Sequence, residues 1–168
     1  LITVEPRRLI GAAAEAAAEV RGVSARAQAL LRGADRPGAI VFATALAGER
    51  LSLDGEDDAR GWSRGESSAR INRGLGRIIK TVLDSERDSI AGLYCTGGDT
   101  FSAVCGELGV RCLEAVDYVI PQTDLTRMVG AYEGFPLVGK GGLTGDAGIV
   151  GRIADRIRAE AAGRRTRK

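Results

Sequence analysis

The spacing of apolar residues predicts that the chain opens with a strand, a helix and a second strand. Residues 2–4 (ITV) are strand-like, and Pro6 marks the start of a helix that we predict to reach about Leu31. Gly22 lies inside this helix and is a candidate for a break or kink. Residues 39–46 (AIVFATAL) are continuously apolar, which is typical of a parallel strand buried on both faces. This order indicates a βαβ unit at the start of an α/β fold.

The next segment combines an irregular stretch with a clear amphipathic helix. Residues 47–66 contain glycines and charges without periodicity, so we predict a long surface loop. Ser67 or Ser68 is then the expected N-cap of a helix whose apolar side chains recur at helical spacing. Its apolar positions are Ile71, Leu75, Ile78, Ile79, Val82 and Leu83. This stripe indicates that the helix packs on the sheet.

An acidic cluster, Glu56, Asp57 and Asp58, lies within the predicted loop. Carboxylates grouped in this way are candidate metal ligands. A block of like charges beside glycine is more often solvated, so we favour exposed side chains over a metal site.

The last third of the chain changes from helices to consecutive strands. Four apolar runs are separated by turns and not by helices, which predicts antiparallel pairs added to the main sheet. The runs are 110–116, 118–120, 127–132 and 136–140. We therefore predict an α/β fold with a mixed, partly parallel sheet flanked by helices and a C-terminal antiparallel meander.

The most informative stretch is residues 92–100 (GLYCTGGDT), which joins a short strand to a helix through two glycines. From Thr100 the apolar spacing becomes helical, and Gly109 closes that helix. Gly97 and Gly98 allow a sharp turn, so the backbone N–H groups and the helix N-terminus face the same point. This arrangement favours the binding of an anion, phosphate above all.

Asp99 is unusual at such a turn because its carboxylate repels a phosphate. Two functional roles resolve this conflict: the carboxylate coordinates Mg²⁺, or it takes the proton from a reacting hydroxyl. The structural alternative is that Asp99 only caps the helix that follows.

A second glycine-rich loop, residues 139–148 (GKGGLTGDAG), precedes a predicted last helix over residues 149–162. Its apolar spacing places Val150, Ile153 and Ile157 toward the interior. The chain thus contains two glycine-rich loops, and each follows a strand and precedes a helix.

Lys140 stands at the start of the second loop. Residues 134–140 formally match the phosphate-binding pattern GxxxxGK, but Gly141 replaces the Ser or Thr that holds Mg²⁺, so we reject a P-loop. Lys140, Gly141 and Gly142 still form a candidate anion site, and the alternative is that Lys140 is an ordinary surface lysine. We expect both loops to open on one edge of the sheet, an arrangement that suits phosphoryl transfer.

Composition excludes several classes of protein. Hydrophobic residues make up 44% of the 168 residues, and no apolar run approaches the roughly 20 residues of a membrane span. The chain has no histidine, which excludes Ser-His-Asp and Cys-His catalytic arrangements. Its three cysteines lack CxxC spacing, so they indicate no disulfide framework or zinc site and favour a reducing cytoplasm. Because the first residue is Leu1 and not Met, we expect a piece of a longer protein.

The net charge of +2 is distributed unevenly. Seven basic and two acidic residues follow position 151, which gives +5 there and leaves −3 for the preceding chain. A basic end is a candidate for nucleic-acid binding, but no aromatic residue interleaves with these arginines. We predict instead a solvated helix face and a basic tail over residues 163–168, with no nucleic-acid or membrane partner.

The run LYCTGGDTFSAVCGELGVRCLEAV, followed by IPQTD and FPLVGKGGLTG, resembles the C-terminal nucleotide-binding domain of the four-carbon acid sugar kinases. Residues 96–100 match the family's TGGDT turn, and residues 140–145 match its KSGGFG-like loop in position. Gly141 replaces the family's serine and Thr144 its phenylalanine. The family's proline-glycine turn reads Pro-Gln here, at residues 121–122.

The resemblance implies a domain that binds ATP and Mg²⁺ within a two-domain kinase. We expect residues 1–162 to be this domain, and a sugar acid of the tetronate or 3-oxo-tetronate type to bind an N-terminal domain of the same polypeptide. The isolated domain is then expected to be inactive, with Asp99 as the candidate catalytic base or Mg²⁺ ligand. The residues expected to bind the nucleotide are Gly97, Gly98, Asp99, Thr100, Lys140, Gly141 and Gly142.

A second hypothesis is a non-catalytic sensor domain that binds nucleotides or other anions. The altered loop at Lys140 favours it, because the domain would keep its glycine turns and lose the chemistry. Self-association into a homo-oligomer is a further expectation.

Overall fold

The computed structural model describes residues 1–44, 50–141 and 145–165. The chain forms two compact units, Leu1–Arg87 and Asp88–Lys168, each of which is described by itself. The prediction of an α/β fold with a mixed, partly parallel sheet is confirmed. No helix within the described residues is long and apolar enough to cross a membrane. The assignment of residues 1–162 to one domain stays a prediction.

The first unit combines helices with a short parallel sheet. Its elements are β1 (Ile2–Thr3), α1 (Pro6–Leu9), α2 (Ala13–Arg32), β2 (Phe42–Ala43), α3 (Leu53–Arg60) and α4 (Glu66–Glu86), after which a 3-10 helix spans Arg87–Ser89. β1 and β2 are parallel, with Ile2 opposite Phe42. The opening order of strand, helix and strand is therefore confirmed.

The second predicted strand is shorter and more exposed than its apolar composition suggests. β2 has two half-buried residues, and the preceding Val41 is 50% exposed, so the prediction of burial on both faces is wrong. Residues 45–46 of the predicted strand lie outside the described residues.

The predicted helix over residues 6–31 is two helices. α1 ends after about one turn, and the Glu15 carboxylate accepts a hydrogen bond from the Ala12 amide at 3.0 Å at the start of α2. This bond satisfies an N–H group that a new helix leaves without an intrahelical partner. The break therefore lies at residues 10–12, and Gly22 lies within α2 without interrupting it.

The segment predicted as a long loop, residues 47–66, contains the helix α3, so that prediction is wrong. Asp57 of this helix is only 2% exposed. Its carboxylate accepts hydrogen bonds from the amides of Gly65 at 2.7 Å and Ser67 at 2.8 Å. Asp57 therefore caps α4 from a neighbouring helix, and Gly65 occupies the N-cap position predicted for Ser67 or Ser68.

The three residues of the predicted acidic cluster, Glu56, Asp57 and Asp58, have different surroundings. Glu56 pairs with Arg7 at 2.7 Å and with Arg60 at 3.2 Å, whereas Asp58 is exposed. The favoured interpretation of a solvated cluster is thus wrong for Asp57. Among the described residues, no group of three or more acidic or cysteine side chains is arranged to hold a metal ion.

The second unit contains a four-stranded mixed sheet flanked by helices. Its elements are β3 (Leu93–Thr96), α5 (Gly98–Glu107), β4 (Val110–Ile120), β5 (Thr123–Gly130), β6 (Pro136–Lys140) and α6 (Ile149–Arg165). The strand order is β3-β6-β5-β4; β3 and β6 are parallel, and the other neighbours are antiparallel. The predicted meander is confirmed, except that the runs 110–116 and 118–120 form the single strand β4.

α6 covers one face of this sheet with an apolar stripe. The buried cluster beneath it comprises Leu125, Val138, Ile149, Ile153 and Ile157. Ile149 takes the inward position predicted for its neighbour Val150, which is 53% exposed, so that prediction is wrong. α6 also extends to Arg165, and residues 166–168 of the predicted basic tail lie outside the described residues.

α5 lies on the opposite face of the sheet. A Cβ atom added to Gly139 of β6 would lie 2.8 Å from Cε2 of Phe101, so the first turn of α5 packs directly on this glycine. The adjacent residue, Val138, packs beneath α6. Because successive residues of a strand face opposite sides of a sheet, α5 and α6 cover opposite faces.

Gly92 offers a test of the packing in the second unit. A Cβ atom there would lie 2.7 Å from both the Pro136 carbonyl oxygen and Cγ2 of Ile157. We expect Gly92→Ala to lower the free energy of unfolding by about 1–3 kcal/mol, because overpacking forces backbone shifts. Gly106→Ala is the matched control: its Cβ would meet open space within α5, so it should stabilise by about 0.4–1 kcal/mol. Urea unfolding followed by circular dichroism measures both, and equal stabilities would contradict this account.

Asp57 makes the stability of the first unit dependent on pH. Hydrogen bonds from Ser67, followed by the one from Gly65, hold the pKa of this carboxyl below its ordinary value despite burial. Such a group stabilises the fold above its ordinary pKa, and the contribution is lost as pH falls through the folded value. We expect Asp57→Ala to lower Tm at neutral pH and to flatten the fall of Tm in acid. The neighbouring Asp58→Ala should change neither, and thermal unfolding from neutral pH to about pH 3 compares the two.

Candidate functional site

The two glycine-rich loops start next to each other at one edge of the second unit's sheet. β3 and β6 are parallel neighbours, and their last residues, Thr96 and Lys140, are opposite each other. The Gly97 amide then donates a hydrogen bond to the Lys140 carbonyl oxygen at 3.2 Å. The expectation that both loops open on one edge of the sheet is therefore confirmed.

This edge is a topological switch point. The chain leaving β3 enters α5 on one face, and the chain leaving β6 enters α6 on the other. Loops that diverge from adjacent parallel strands leave a crevice beyond the carboxyl ends of those strands, where open α/β sheets bind their ligands. The backbone topology alone thus marks this edge as the candidate site.

The start of α5 presents backbone amides without a side-chain cap. Gly97 occupies the N-cap position with a φ of 91°, a conformation that favours glycine. Intrahelical bonding begins with the Phe101 amide, which donates to the Gly97 carbonyl oxygen at 2.9 Å. The Gly97 amide is already bound to Lys140, and the amides of Gly98 and Asp99 both precede this first intrahelical bond, so neither donates within the helix. Two adjacent amides at a helix N-terminus are suited to hold an anion.

Asp99 lies in the first turn of α5 and is exposed. Because Gly97 is the N-cap, the alternative that Asp99 only caps this helix is wrong. Its neighbour Gly98 has nothing within 4 Å of the position that a Cβ would take, and Thr100 is half-buried in the same turn. The Asp99 carboxylate is therefore accessible to a ligand that the amides bind.

The start of α6 is different, because it holds a carboxylate of its own. Oδ1 of Asp146 accepts a hydrogen bond from the Gly148 amide at 2.8 Å, and Arg152 pairs with Asp146 at 3.1 Å. The Arg152 guanidinium, together with the Gly148 amide, holds the pKa of Asp146 below its ordinary value. An anion at this helix start would meet that carboxylate, so the two helix starts are not equivalent. Gly142 of the same loop lies outside the described residues.

A hairpin corner that the sequence pattern did not assign to the site holds the start of the second loop. The Gly141 amide donates to the Gln122 carbonyl oxygen at 3.0 Å, and Thr123 pairs with the half-buried Lys140. Gln122 has a φ of 61° and is the one non-glycine residue of the described chain with a positive φ. The available signal was Pro121, since proline favours a turn whose second central residue takes positive φ.

Two of the three cysteines of this unit, Cys95 and Cys105, are unsuited to act as nucleophiles. Burial, with a smaller contribution from nearby Cys105, raises the pKa of the Cys95 thiol to about 12. Burial also raises the pKa of Cys105, and Cys112 is an exposed free thiol. Since a thiolate is the reactive form, the raised pKa values keep the thiols of Cys95 and Cys105 unreactive near neutral pH.

Residues 1–150 match a protein family described as the nucleotide-binding C-terminal domain. The chain belongs to this family. The resemblance to the C-terminal domain of the four-carbon acid sugar kinases is thereby confirmed. The sheet edge described above is the candidate nucleotide site of this nucleotide-binding domain.

Two curated relatives of the domain are sugar-acid kinases by name. It is 36% identical over 102 residues to D-erythronate kinase of Heliobacterium modesticaldum. This match covers 60% of this chain and 23% of that protein. It is 28% identical over 148 residues to 3-oxo-isoapionate kinase of Paraburkholderia graminis. This match covers 84% of this chain and 30% of that protein. The domain thus spans less than a third of either relative.

Two solved structures share the fold of the domain. A domain of unknown function from Bordetella bronchiseptica, with bound citrate and in a domain-swapped dimer, matches 88% of this chain and 34% of that chain with a TM-score of 0.63 at 24% identity. A Salmonella typhimurium LT2 protein described as a tRNA synthase matches 90% of this chain and 33% of that chain with a TM-score of 0.65 at 17% identity. At these identities the likeness concerns the fold alone.

Proposed function

We propose that the domain binds ATP with Mg²⁺ and presents it for transfer of the γ-phosphoryl group to a hydroxyl of a four-carbon sugar acid, of the tetronate or 3-oxo-tetronate type. The observation that carries the proposal is the uncapped start of α5 at the switch point between β3 and β6. The names of the curated relatives, D-erythronate kinase and 3-oxo-isoapionate kinase, support the reaction class.

The amides of Gly98 and Asp99 are proposed to bind the terminal phosphates, with Gly97 supplying the turn that exposes them. Thr100 lies in the same helical turn, where its hydroxyl is proposed to contact the phosphates. Lys140 at the end of β6 supplies positive charge on the other side of the crevice. Gly141 and Gly142 complete this second wall in the proposal, Gly141 through the backbone that its bond to Gln122 holds in place.

Mg²⁺ fits this site as an ion carried with the nucleotide. The described residues contain no dedicated cluster of metal ligands, and Asp99 supplies one accessible carboxylate at the α5 start. Mg²⁺ commonly binds through one or two carboxylates together with substrate phosphates and water. The bound ion would neutralise charge that the phosphates accumulate during transfer.

The chemical step needs little from the protein beyond positioning and a proton acceptor. The substrate hydroxyl oxygen forms a bond to the γ-phosphorus, the bond from γ-phosphorus to the bridging oxygen breaks, and ADP leaves. The hydroxyl proton passes to a base, for which Asp99 is our candidate if it is not occupied by Mg²⁺. We propose that the sugar acid is held by an N-terminal domain of the same polypeptide, since the relatives are more than three times as long as the match. The isolated domain would then bind nucleotide without turnover.

The compartment and the oligomeric state of the protein are two further proposals. The free cysteines suit a reducing compartment such as the cytoplasm. Self-association is proposed with the Bordetella relative in mind, because that protein forms a domain-swapped dimer.

A non-catalytic nucleotide or anion sensor is the second candidate function. It is favoured by Gly141, which carries no side chain in place of the serine expected at that position and whose amide is already bound to Gln122. A full-length protein that binds ATP without consuming it in the presence of a panel of four-carbon sugar acids would establish this alternative.

Isothermal titration of the 168-residue chain with ATP and Mg²⁺ tests the proposed function directly. We expect saturable binding that weakens when Mg²⁺ is omitted, because the Asp99 carboxylate then faces the phosphates without a cation. A correctly folded sample that binds no ATP would overturn the proposal.

Asp99→Asn separates the two roles of the carboxylate. If Asp99 coordinates Mg²⁺, the ATP affinity of the variant should depend less on Mg²⁺. The substitution removes both the carboxylate that binds the ion and its repulsion of the phosphates. If Asp99 is the base, binding is preserved and phosphoryl transfer by the full-length protein falls by about 10²-fold or more. Asp155→Asn removes the same charge from an exposed position in α6 and should change neither property. Wild-type behaviour of Asp99→Asn in both assays would rule out both roles.

A further inference from the structure

Thr123, the first residue of β5, has a buried hydroxyl group. The residue is 0% exposed, and its Oγ1 has no partner among the residues that the structure describes. A buried hydroxyl group without a hydrogen-bond partner lowers the stability of the fold. Its presence at Thr123 therefore calls for an explanation. A bound ligand that supplies the missing partner is such an explanation.

The position of Thr123 connects it with the candidate site. Thr123 pairs with Lys140 of β6, and Lys140 pairs with Thr96 of β3. The three residues form a row across three neighbouring strands at the edge from which both loops leave. Strand alternation places Thr123 on the same face as Leu125, which lies in the cluster beneath α6. The hydroxyl thus lies on the α6 side of the crevice.

Gln122, which precedes Thr123, is held in a backbone conformation that non-glycine residues rarely adopt. Gln122 adopts its φ of 61° although a side chain disfavours the left-handed region. Its carbonyl oxygen is the acceptor for the Gly141 amide at 3.0 Å, which ties this turn to the start of the second loop. Strain of this kind persists where the surroundings hold it, and it is common at ligand sites. The corner is therefore a fixed part of the crevice wall.

The distance between this corner and the α5 start decides which part of a nucleotide it meets. β5 is two strands away from β3, and neighbouring strands lie about 4.8 Å apart, so the separation is roughly 10 Å. Because β3 is the edge strand of this sheet, a nucleotide that extends along the sheet from phosphates at the α5 start passes over β6 and β5. A threonine hydroxyl is neutral and both donates and accepts, which suits a ribose hydroxyl or a base edge.

We infer that Thr123 is a binding residue for the nucleoside half of the nucleotide, with its hydroxyl bonded to the ribose or the base. This inference rests on the proposed nucleotide site and adds a contact on its α6 side. It assigns the phosphates and the nucleoside to different strands of one sheet edge.

Thr123→Val tests the inference because valine keeps the shape and removes only the hydroxyl. We expect the Tm of the chain to stay equal or rise, since the described residues provide no partner for the group. The affinity for ATP and ADP should fall by about 10-fold, the size of one lost hydrogen bond, whereas the affinity for inorganic tripolyphosphate should be unchanged. Thr123→Ser keeps the hydroxyl and should keep the nucleotide affinity.

Ser24→Ala is the matched control, because Ser24 in α2 is 1% exposed and its hydroxyl also has no partner among the described residues. It should leave ATP affinity unchanged. Wild-type ATP affinity in Thr123→Val would overturn the inference and leave the proposed function intact. Equal losses for ATP and tripolyphosphate would assign the hydroxyl to the phosphates and overturn the nucleoside contact. Absence of ATP binding by the wild-type chain would remove both the proposed function and the inference.

Discussion

The parallel pairing of β3 with β6 is the constraint on which the site depends. α5, β4 and β5 lie between these strands along the chain, and the pairing brings the ends of two distant segments together. The bond from the Gly97 amide to the Lys140 carbonyl continues the ladder one residue beyond the strands. Both loops consequently leave the sheet at a common point, and their separate sequences become one site.

The two helices that follow these strands pack on opposite faces, and a glycine of β6 allows the close approach of one of them. Gly139 lets Phe101 of α5 approach the sheet, while the neighbouring Val138 supports α6 on the other side. The electrostatics of the two helix starts then differ. The α6 start is satisfied by the carboxylate of Asp146, whereas the α5 start keeps its amides for a ligand. Two similar glycine-rich sequences thus precede one helix N-terminus that a carboxylate occupies and one that has no side-chain cap.

Local patterns predicted those elements whose signals lie within a few residues. The amphipathic stripe of α4 and the strand-turn-helix sequence around Gly97 were both identified correctly. The predictions went wrong where a distant partner decides the conformation. α3 was predicted as a loop because its residues are polar, yet Asp57 is buried there as the cap of another helix. Val150 lost its predicted inward position to Ile149 because the sheet, and not the helix alone, defines which face is covered.

The sequence by itself determined the fold class, the TGGDT turn and the kinase-type family, because periodicity, glycine placement and motif order are local properties of the chain. Only the tertiary structure decided which strands are neighbours, which helix start remains open, and that Gln122 and Thr123 stand beside Lys140. The physical reason is that a backbone amide or a buried hydroxyl can bind a ligand only if no other group of the protein already bonds to it. Those groups lie far away along the chain, and only the pairing of strands brings them within bonding distance.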